Sequence, residues 1–288
     1  VVCGASNVAA GQKIVFAEIG ASLVDSSNGK SMTLKAAKIR GETSEGMICS
    51  ELELGLSDEH EGILVLSENA PTGMSLDDYM GDYVLDIEPT PNRADWFSIL
   101  GVAYEIAALT GQKIHEPSVE YIEDGESIHH QAKVTIETPD LCPRYSASLI
   151  KGVSIQDSPR WLQDRLKKAG IKVVNNVVDV TNYVMFELGQ PLHAFDSNKI
   201  KGEKIIVRNS TSEEIIQTLD GNEYLLSFDD LVIADGSGPI AIAGIIGGRA
   251  TEVDGHTVDL VLEAASFSPA TIRKTSRRLG IRTDASNR

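Results

Sequence analysis

The rhythm of apolar and polar positions changes several times along this chain. Up to residue 84 the apolar positions come in short bursts, KIVFAEIGASL, SMTLKAAKIRG, GMICSELELGL and GILVL, separated by Gly, Ser and Asn. Short β-branched or apolar runs between turn residues predict strands, and several of them in so few residues predict a small barrel or sandwich. Over 85–118 the pattern becomes one strand, a turn and one helix. Phe97, Leu100, Ala103, Tyr104, Ala107 and Ala108 recur at helical spacing, Asn92 is the N-cap candidate, and Gly111 closes the run. Residues 119–132, VEYIEDGESIHHQA, are acidic, carry Gly and Ser, and read as a linker.

A second globular unit is expected over 133–288. KVTIETPD and RYSASLIKGVSI alternate as strands. Ser158-Pro159 then opens a helix, with Ser as N-cap and Pro at the first helical position, and Gly170 ends it. The next run, NNVVDVTNYVMFELG, has an apolar helical rhythm that stops at Gly189. KIIVRNS, IIQTLDGNEYLLSF and LVIADGS return to strands, with Asp220-Gly221 marking a hairpin. Ser268-Pro269 repeats the cap-and-Pro device before a last helix ending at Gly280. The fold class is therefore α+β.

A chain of 288 residues is long enough for two or three domains. No apolar run approaches the roughly 20 residues of a membrane span. The opening VVCGASNVAAG lacks the charged and apolar regions of a signal peptide and an initiator Met, and reads as an internal cut in a longer protein. Cys3, Cys49 and Cys142 are far apart, odd in number and free of any CxxC pair. That argues against a disulfide framework or a zinc site and fits a reducing cytoplasm. The net charge of −16 is unevenly spread: residues 1–125 hold 7 basic and 21 acidic groups, the remainder 19 and 21. The chain closes on Arg273, Lys274, Arg277, Arg278, Arg282 and Arg288, opposed locally by Asp284 alone. Such a stretch is either a solvated helix face or a contact for an RNA backbone.

Candidate chemistry gathers in three places. The first is Asn175 to Asp196, where Asn175, Asn176, Asp179, Thr181 and Asn182 interrupt the apolar rhythm and His193 follows the helix stop between apolar neighbours. A histidine there is either a satisfied structural group or a reactive one. His193 and Asp196 lack a third ligand at fitting spacing, so no metal site is assigned. The second is PIAIAGIIGGRATEV, which lacks GK[ST] and GxGxxG and so is neither a Walker loop nor a dinucleotide loop. Its glycines allow close backbone approach, to a ligand or between packed strands. The third is Glu263 in LVLEAASF. A buried carboxylate there needs a partner, either one of the terminal basic residues or a bound ligand.

These three stretches, in this order, resemble the editing domain in the β subunit of bacterial-type phenylalanyl-tRNA synthetase. The matching strings are NNVVDVTNYVMFELGQPLHAFD, AIAGIIGGRATEV and LEAASFSPATIRKTSRRLGIRTDASNR. IRGETSEGMICSELELGL similarly resembles the oligonucleotide-binding fold that carries a tRNA-binding role in the same subunit. The resemblance implies an N-terminal oligonucleotide-binding-like β-barrel over 1–84, truncated at its start, and the second half of a small α/β domain over 85–118. The first half of that domain would precede Val1, which leaves its helix poorly supported. The linker and a mixed α/β editing domain over 133–288 follow.

The activity implied is hydrolysis of mischarged tyrosyl-tRNA(Phe). By resemblance His193, Thr181 and Asn182 lie around the ester and the attacking water, Glu263 receives the tyrosine hydroxyl, and Ala243, Gly244, Thr283 and Ala285 wall the pocket. The implied partners are tRNA(Phe) and the α subunit of an (αβ)2 complex, in the cytoplasm. No cofactor is expected in this piece, because ATP and magnesium belong to the synthetic site outside it. Two rivals remain: a non-catalytic tRNA-docking or assembly module, and an unrelated metal-dependent hydrolase. The acidic residues of 1–84 and the scarcity of aromatic stacking platforms leave a purely structural β-module open for that part.

Overall fold

The computed structural model of the chain describes residues 1–288 except 58, 59, 126 and 129–131. It divides into two compact units, Val1–Leu85 and Asp86–Arg288.

In the first unit the predicted bursts do become strands, but very short ones: β1 (Lys13–Ile14), β2 (Phe16–Glu18), β3 (Ser22–Val24), β4 (Ser31–Thr33), β5 (Ala37–Ile39), β6 (Glu42–Ser44), β7 (Gly46–Ile48) and β8 (Val65–Leu66). They pair in twos, β1 with β8, β2 with β7, β3 with β4 and β5 with β6, each antiparallel. Among the described residues the pairs do not join into the closed barrel that the pattern predicts. With two or three residues per strand, Gly, Ser and Asn turns break each ladder before a third strand is added. A small core of Ala17, Leu23 and Cys49, with Met32 and Met47 against it, holds the unit together. A Cβ at Gly46 would lie 2.2 Å from the Phe16 ring, so a side chain there would need that exposed ring to swing aside. Helix α1 (Leu76–Met80) is capped by Ser75, whose hydroxyl accepts from Asp78 N–H.

The second unit begins with a 3-10 turn, Ala94–Phe97, and helix α2 (Ile99–Thr110). Ser98 caps α2, accepting from Gly101 N–H, whereas Asn92 accepts from the Thr90 hydroxyl and caps nothing. Ser98 wins because it directly precedes the first helical residue, after the turn that Asn92 leads into. Gly111 closes the helix in the left-handed region, as predicted. α2 is bare on one side, where Ile99, Ile106 and Leu109 are exposed. Its other side packs on helix α4 (Asn176–Leu188). Residues 112–125 form neither helix nor strand, and Glu126 and 129–131 of the expected linker lie outside the described residues.

Two sheets follow. One has five strands in the order β17 (Ile246–Gly247), β16 (Pro239–Ile242), β15 (Leu231–Ala234), β12 (Lys204–Asn209), β9 (Lys133–Ile136), with only the β9–β12 pair parallel. The other has three, with β18 (Leu260–Ser266) between β10 (Arg144–Ile150) and β11 (Leu192–Asp196), all antiparallel. Successive strand residues face opposite ways, and β15 is buried at all four positions. Leu231 and Ile233 join Phe195, Val207 and Val261 in a core between the sheets. Val232 and Ala234 join Ile242, Ile245 and Ile272 on the other face, under helix α5 (Pro269–Leu279). The predicted hairpin is present as β13 (Ile215–Gln217) and β14 (Glu223–Leu225), with Gly221 at φ 84° in its turn.

Helix α3 (Arg160–Lys168) starts one residue later than the Ser-Pro pattern predicts: Pro159 is its N-cap. Ser158 is drawn elsewhere. Its hydroxyl donates to Asp179 Oδ2 at 2.5 Å, while Val174 N–H donates to Asp179 Oδ1 at 2.8 Å. Asp179 is fully buried in α4, and these bonds satisfy it.

Candidate functional site

A cavity of about 860 Å³ opens in the second unit. It lies between the β11–β18 ladder, the turn from β16 into β17, helix α5 and the short helix α6 (Asp284–Asn287). Strand register brings its central groups together. His193 of β11 stands directly opposite Glu263 of β18. On the other flank of β18, Glu263 pairs with Ala147, and Tyr145 lies two residues along β10 on the same face. The Tyr145 hydroxyl therefore reaches back and donates to Glu263 Oε2 at 3.1 Å.

Glu263 is only 6% exposed and, among the described residues, has no cation against it. The terminal basic residues offered as its structural partners do not take that role; Tyr145 does. Burial, partly offset by that hydrogen bond, raises the carboxyl to about 8, so near neutral pH it is largely protonated. In that form it keeps both capacities: it accepts from Tyr145 and carries one O–H to donate. Burial, with the Glu263 charge adding to it, also pushes the Tyr145 phenol well above the usual range and the Cys142 thiol up to about 11.

His193 is partly exposed as a residue, but its Nε2 is sealed from solvent and has no hydrogen-bond partner among the described residues. Burial lowers the imidazole to about 4, so it is neutral near pH 7. The ring packs edge-to-face on Phe195, with centroids 4.5 Å apart. Its other side is closed by Gly247, where a Cβ would lie 2.3 Å from Cε1 and 2.5 Å from Nε2. Of the two uses foreseen for the glycine-rich segment, close approach within the fold is the one seen. Gly247 admits the imidazole of a cavity residue, while a Cβ at Gly248 would meet the Ile240 carbonyl oxygen at 2.5 Å across the strands. Gly244 turns the chain at φ 64° beneath Phe267 and Ile272.

Of the eight residues expected at a site, His193, Glu263, Gly244 and Ala285 line this cavity. Ala243 is a core residue whose N–H donates to the Leu231 carbonyl. Thr283 acts one step behind the wall. It caps α6 through a reciprocal pair with Ser286, and its hydroxyl donates to the Ile245 carbonyl at 2.8 Å, which fixes α6 and Ala285 against the β16–β17 turn. Thr181 and Asn182 sit within α4 and are not among the lining residues; the Thr181 hydroxyl bonds back to the Val178 carbonyl. α4 meets the cavity through its C-cap, Gly189, and the adjoining Gln190, Pro191 and Leu192. Tyr145 and Gly247 were not singled out from sequence. Same-face alternation in RYSASLI was the signal for Tyr145. Among the described residues no group of three or more His, Cys, Asp or Glu could hold a metal ion.

The model of the B3/4 domain family matches residues 141–288, which hold every lining residue of the cavity. The chain belongs to the B3/4 domain family. Ahead of this B3/4 region, residues 1–75 match a family of tRNA-binding domains. The whole chain is similar to phenylalanine–tRNA ligase beta subunits. Identity is 48% over 290 residues to that of Geobacter sulfurreducens and 48% over 288 residues to that of Dehalococcoides mccartyi. It is 46% over 288 residues to that of Protochlamydia amoebophila. Each alignment takes in 100% of this chain and 36% of the relative, so the chain spans about a third of the length of these relatives. The B3/4 cavity therefore lies in a sequence that resembles one continuous stretch of those subunits.

Proposed function

We propose that the chain is the tRNA-binding and editing part of a phenylalanine–tRNA ligase β subunit, and that its cavity hydrolyses tyrosyl-tRNA(Phe). The reading rests on its similarity to those subunits and on one observation above all: a buried carboxyl with no cation, opposite a neutral histidine, at the wall of an open cavity. A carboxyl so placed pairs with a phenolic hydroxyl. Phenylalanine would leave it desolvated and short of a partner, so the site rejects the correct product. The ester bond is activated, and a water oriented by Nδ1 of neutral His193, the ring nitrogen that is not sealed, suffices to attack it. Water adds to the ester carbonyl, the ribose oxygen leaves with a proton, and tyrosine is released. Ligation, with its ATP and magnesium, falls to the rest of a cytoplasmic (αβ)2 complex, and the tRNA-binding region helps hold tRNA(Phe).

The test separates recognition from chemistry by two deacylation rates, for tyrosyl-tRNA and phenylalanyl-tRNA. Glu263→Ala removes a hydrogen bond to the hydroxyl, worth about 1.5–3 kcal/mol if charge-assisted and less if neutral. It also removes the penalty against phenylalanine, so the ratio of the two rates collapses. His193→Ala slows both esters and keeps their ratio. Equal slowing of both by Glu263→Ala would place Glu263 in the water machinery instead. Absence of any hydrolysis by the unmodified chain would leave only the docking role.

A further inference from the structure

The cavity rim carries charge that the remainder of the fold does not neutralise. Arg273, Arg277, Arg282 and Arg288 line it, and the sole lining carboxylate is Glu263. Arg288 is engaged: its guanidinium donates to the Phe97 carbonyl and pairs with Asp284 at 3.2 Å. The other three are exposed and have no hydrogen-bond or ion-pair partner among the described residues. Their neighbours on α5 are treated differently. Lys274 pairs with Asp229 at 2.5 Å, and Arg278 with the buried Asp230. The helix thus hands two cations to adjacent acids and leaves the two that line the cavity free. Those two, Arg273 and Arg277, are four residues apart, about 6 Å along the axis. Arg282 adds a third just beyond the Gly280 cap. This cluster stands in a chain with a net charge of −16, where free acids are plentiful.

We infer that Arg273, Arg277 and Arg282 grip the phosphates of the single-stranded 3′ end of an aminoacylated RNA and so deliver its ester to His193 and Glu263. The inference rests on the proposed hydrolysis for its substrate. Guanidinium forks bind phosphate oxygens bidentately and keep their charge at any accessible pH. Three of them at one opening suit a chain of phosphates better than a single anion. Because this contact is to the backbone, it adds affinity for RNA without selecting the amino acid, which leaves discrimination to Glu263.

The test is binding of a short single-stranded RNA to the 288-residue chain across a range of salt concentrations, alongside deacylation of tyrosyl-tRNA. Arg273→Ala, Arg277→Ala and Arg282→Ala should each weaken binding several-fold. Each should also make the plot of log affinity against log salt shallower by about 0.7, the increment for one phosphate contact on a single strand. The triple variant should flatten it by about 2 and raise KM for tyrosyl-tRNA. Lys274→Ala, on the same helix but paired with Asp229, should keep the wild-type slope. A triple variant with wild-type affinity and slope overturns the inference. So does a loss on Lys274→Ala as large as that on Arg277→Ala, because bulk charge would then explain it. Arginine-dependent binding without cleavage of any ester would instead sink the hydrolytic reading and leave the phosphate grip standing.

Discussion

Glu263 and His193 face each other across one ladder, and their protons respond to folding in opposite ways. Glu263 titrates at about 8 when folded, against 4.5 for an ordinary Glu. The folded state therefore holds a proton that the unfolded chain releases. The resulting stability is complete below about pH 4.5 and is lost as pH rises through 8. His193 falls from 6.5 to about 4. Its contribution is complete above pH 6.5 and is lost as pH falls through 4. Each window is worth on the order of a few kcal/mol, at about 1.4 kcal/mol per pKa unit. Glu263→Gln removes the alkaline loss, so between pH 6 and 9 the melting temperature of the variant should fall less steeply than that of the wild type. Calorimetric melts at several pH values check this, and parallel curves would mean that Glu263 is already ionised in the fold. Glu263 was legible as a buried acid in need of a partner. That the partner is Tyr145 was not legible, since the two are 118 residues apart and meet only through β-register.

Among whole elements, those specified by neighbouring residues were read best. Gly111, Gly189 and Gly280 each end a helix in the left-handed region, where a side chain is strained, so a glycine after an apolar run is nearly sufficient evidence. Asn175 caps α4 by accepting from Val177 and Val178 N–H. Ser158 misled because its hydroxyl is committed to Asp179, 21 residues on, which no local pattern reveals. Thr181 and Asn182 stood out as polar breaks in an apolar rhythm and took a site role only by resemblance; they sit within α4 and are not among the residues that line the cavity. Gly247 shows how closely β17 and β11 approach. A Gly247→Ala Cβ would overlap the His193 ring, and relieving the overlap must move strand or imidazole. The expected cost is about 1–3 kcal/mol of stability. Hydrolysis should slow for both esters, as with His193→Ala, and paired thermal melts and deacylation rates measure the two effects. A variant with unchanged rates would show that His193 need not hold its position.

For the molecule as a whole, the charge asymmetry drawn at residue 125 and the division between the compact units do not coincide. Most of the excess acid falls in residues 1–125, and the compact units divide at Leu85. The expected barrel did not close, because turn-rich sequence specifies strands more readily than the order in which they join. If tRNA meets this chain through residues 1–75 and through the arginine rim, deacylation should proceed without ATP and fall steeply with salt. Charging of tRNA with phenylalanine by the chain alone, assayed with ATP and magnesium, should be undetectable. ATP-dependent charging would overturn the division of labour proposed for it.

The three-stranded sheet has a consequence in time. β18 is its middle strand, and both β10 and β11 pair with β18 rather than with each other. Until residues 260–266 have been synthesised, neither outer strand has a neighbour in that sheet, and His193 has nothing opposite it. At about 5–20 residues per second, the stretch from β11 to α6 takes on the order of ten seconds to make. For that interval the nascent chain carries two open strand edges and no cavity. The pairing of His193 with Glu263 waits on the middle strand, the last of the three to be made.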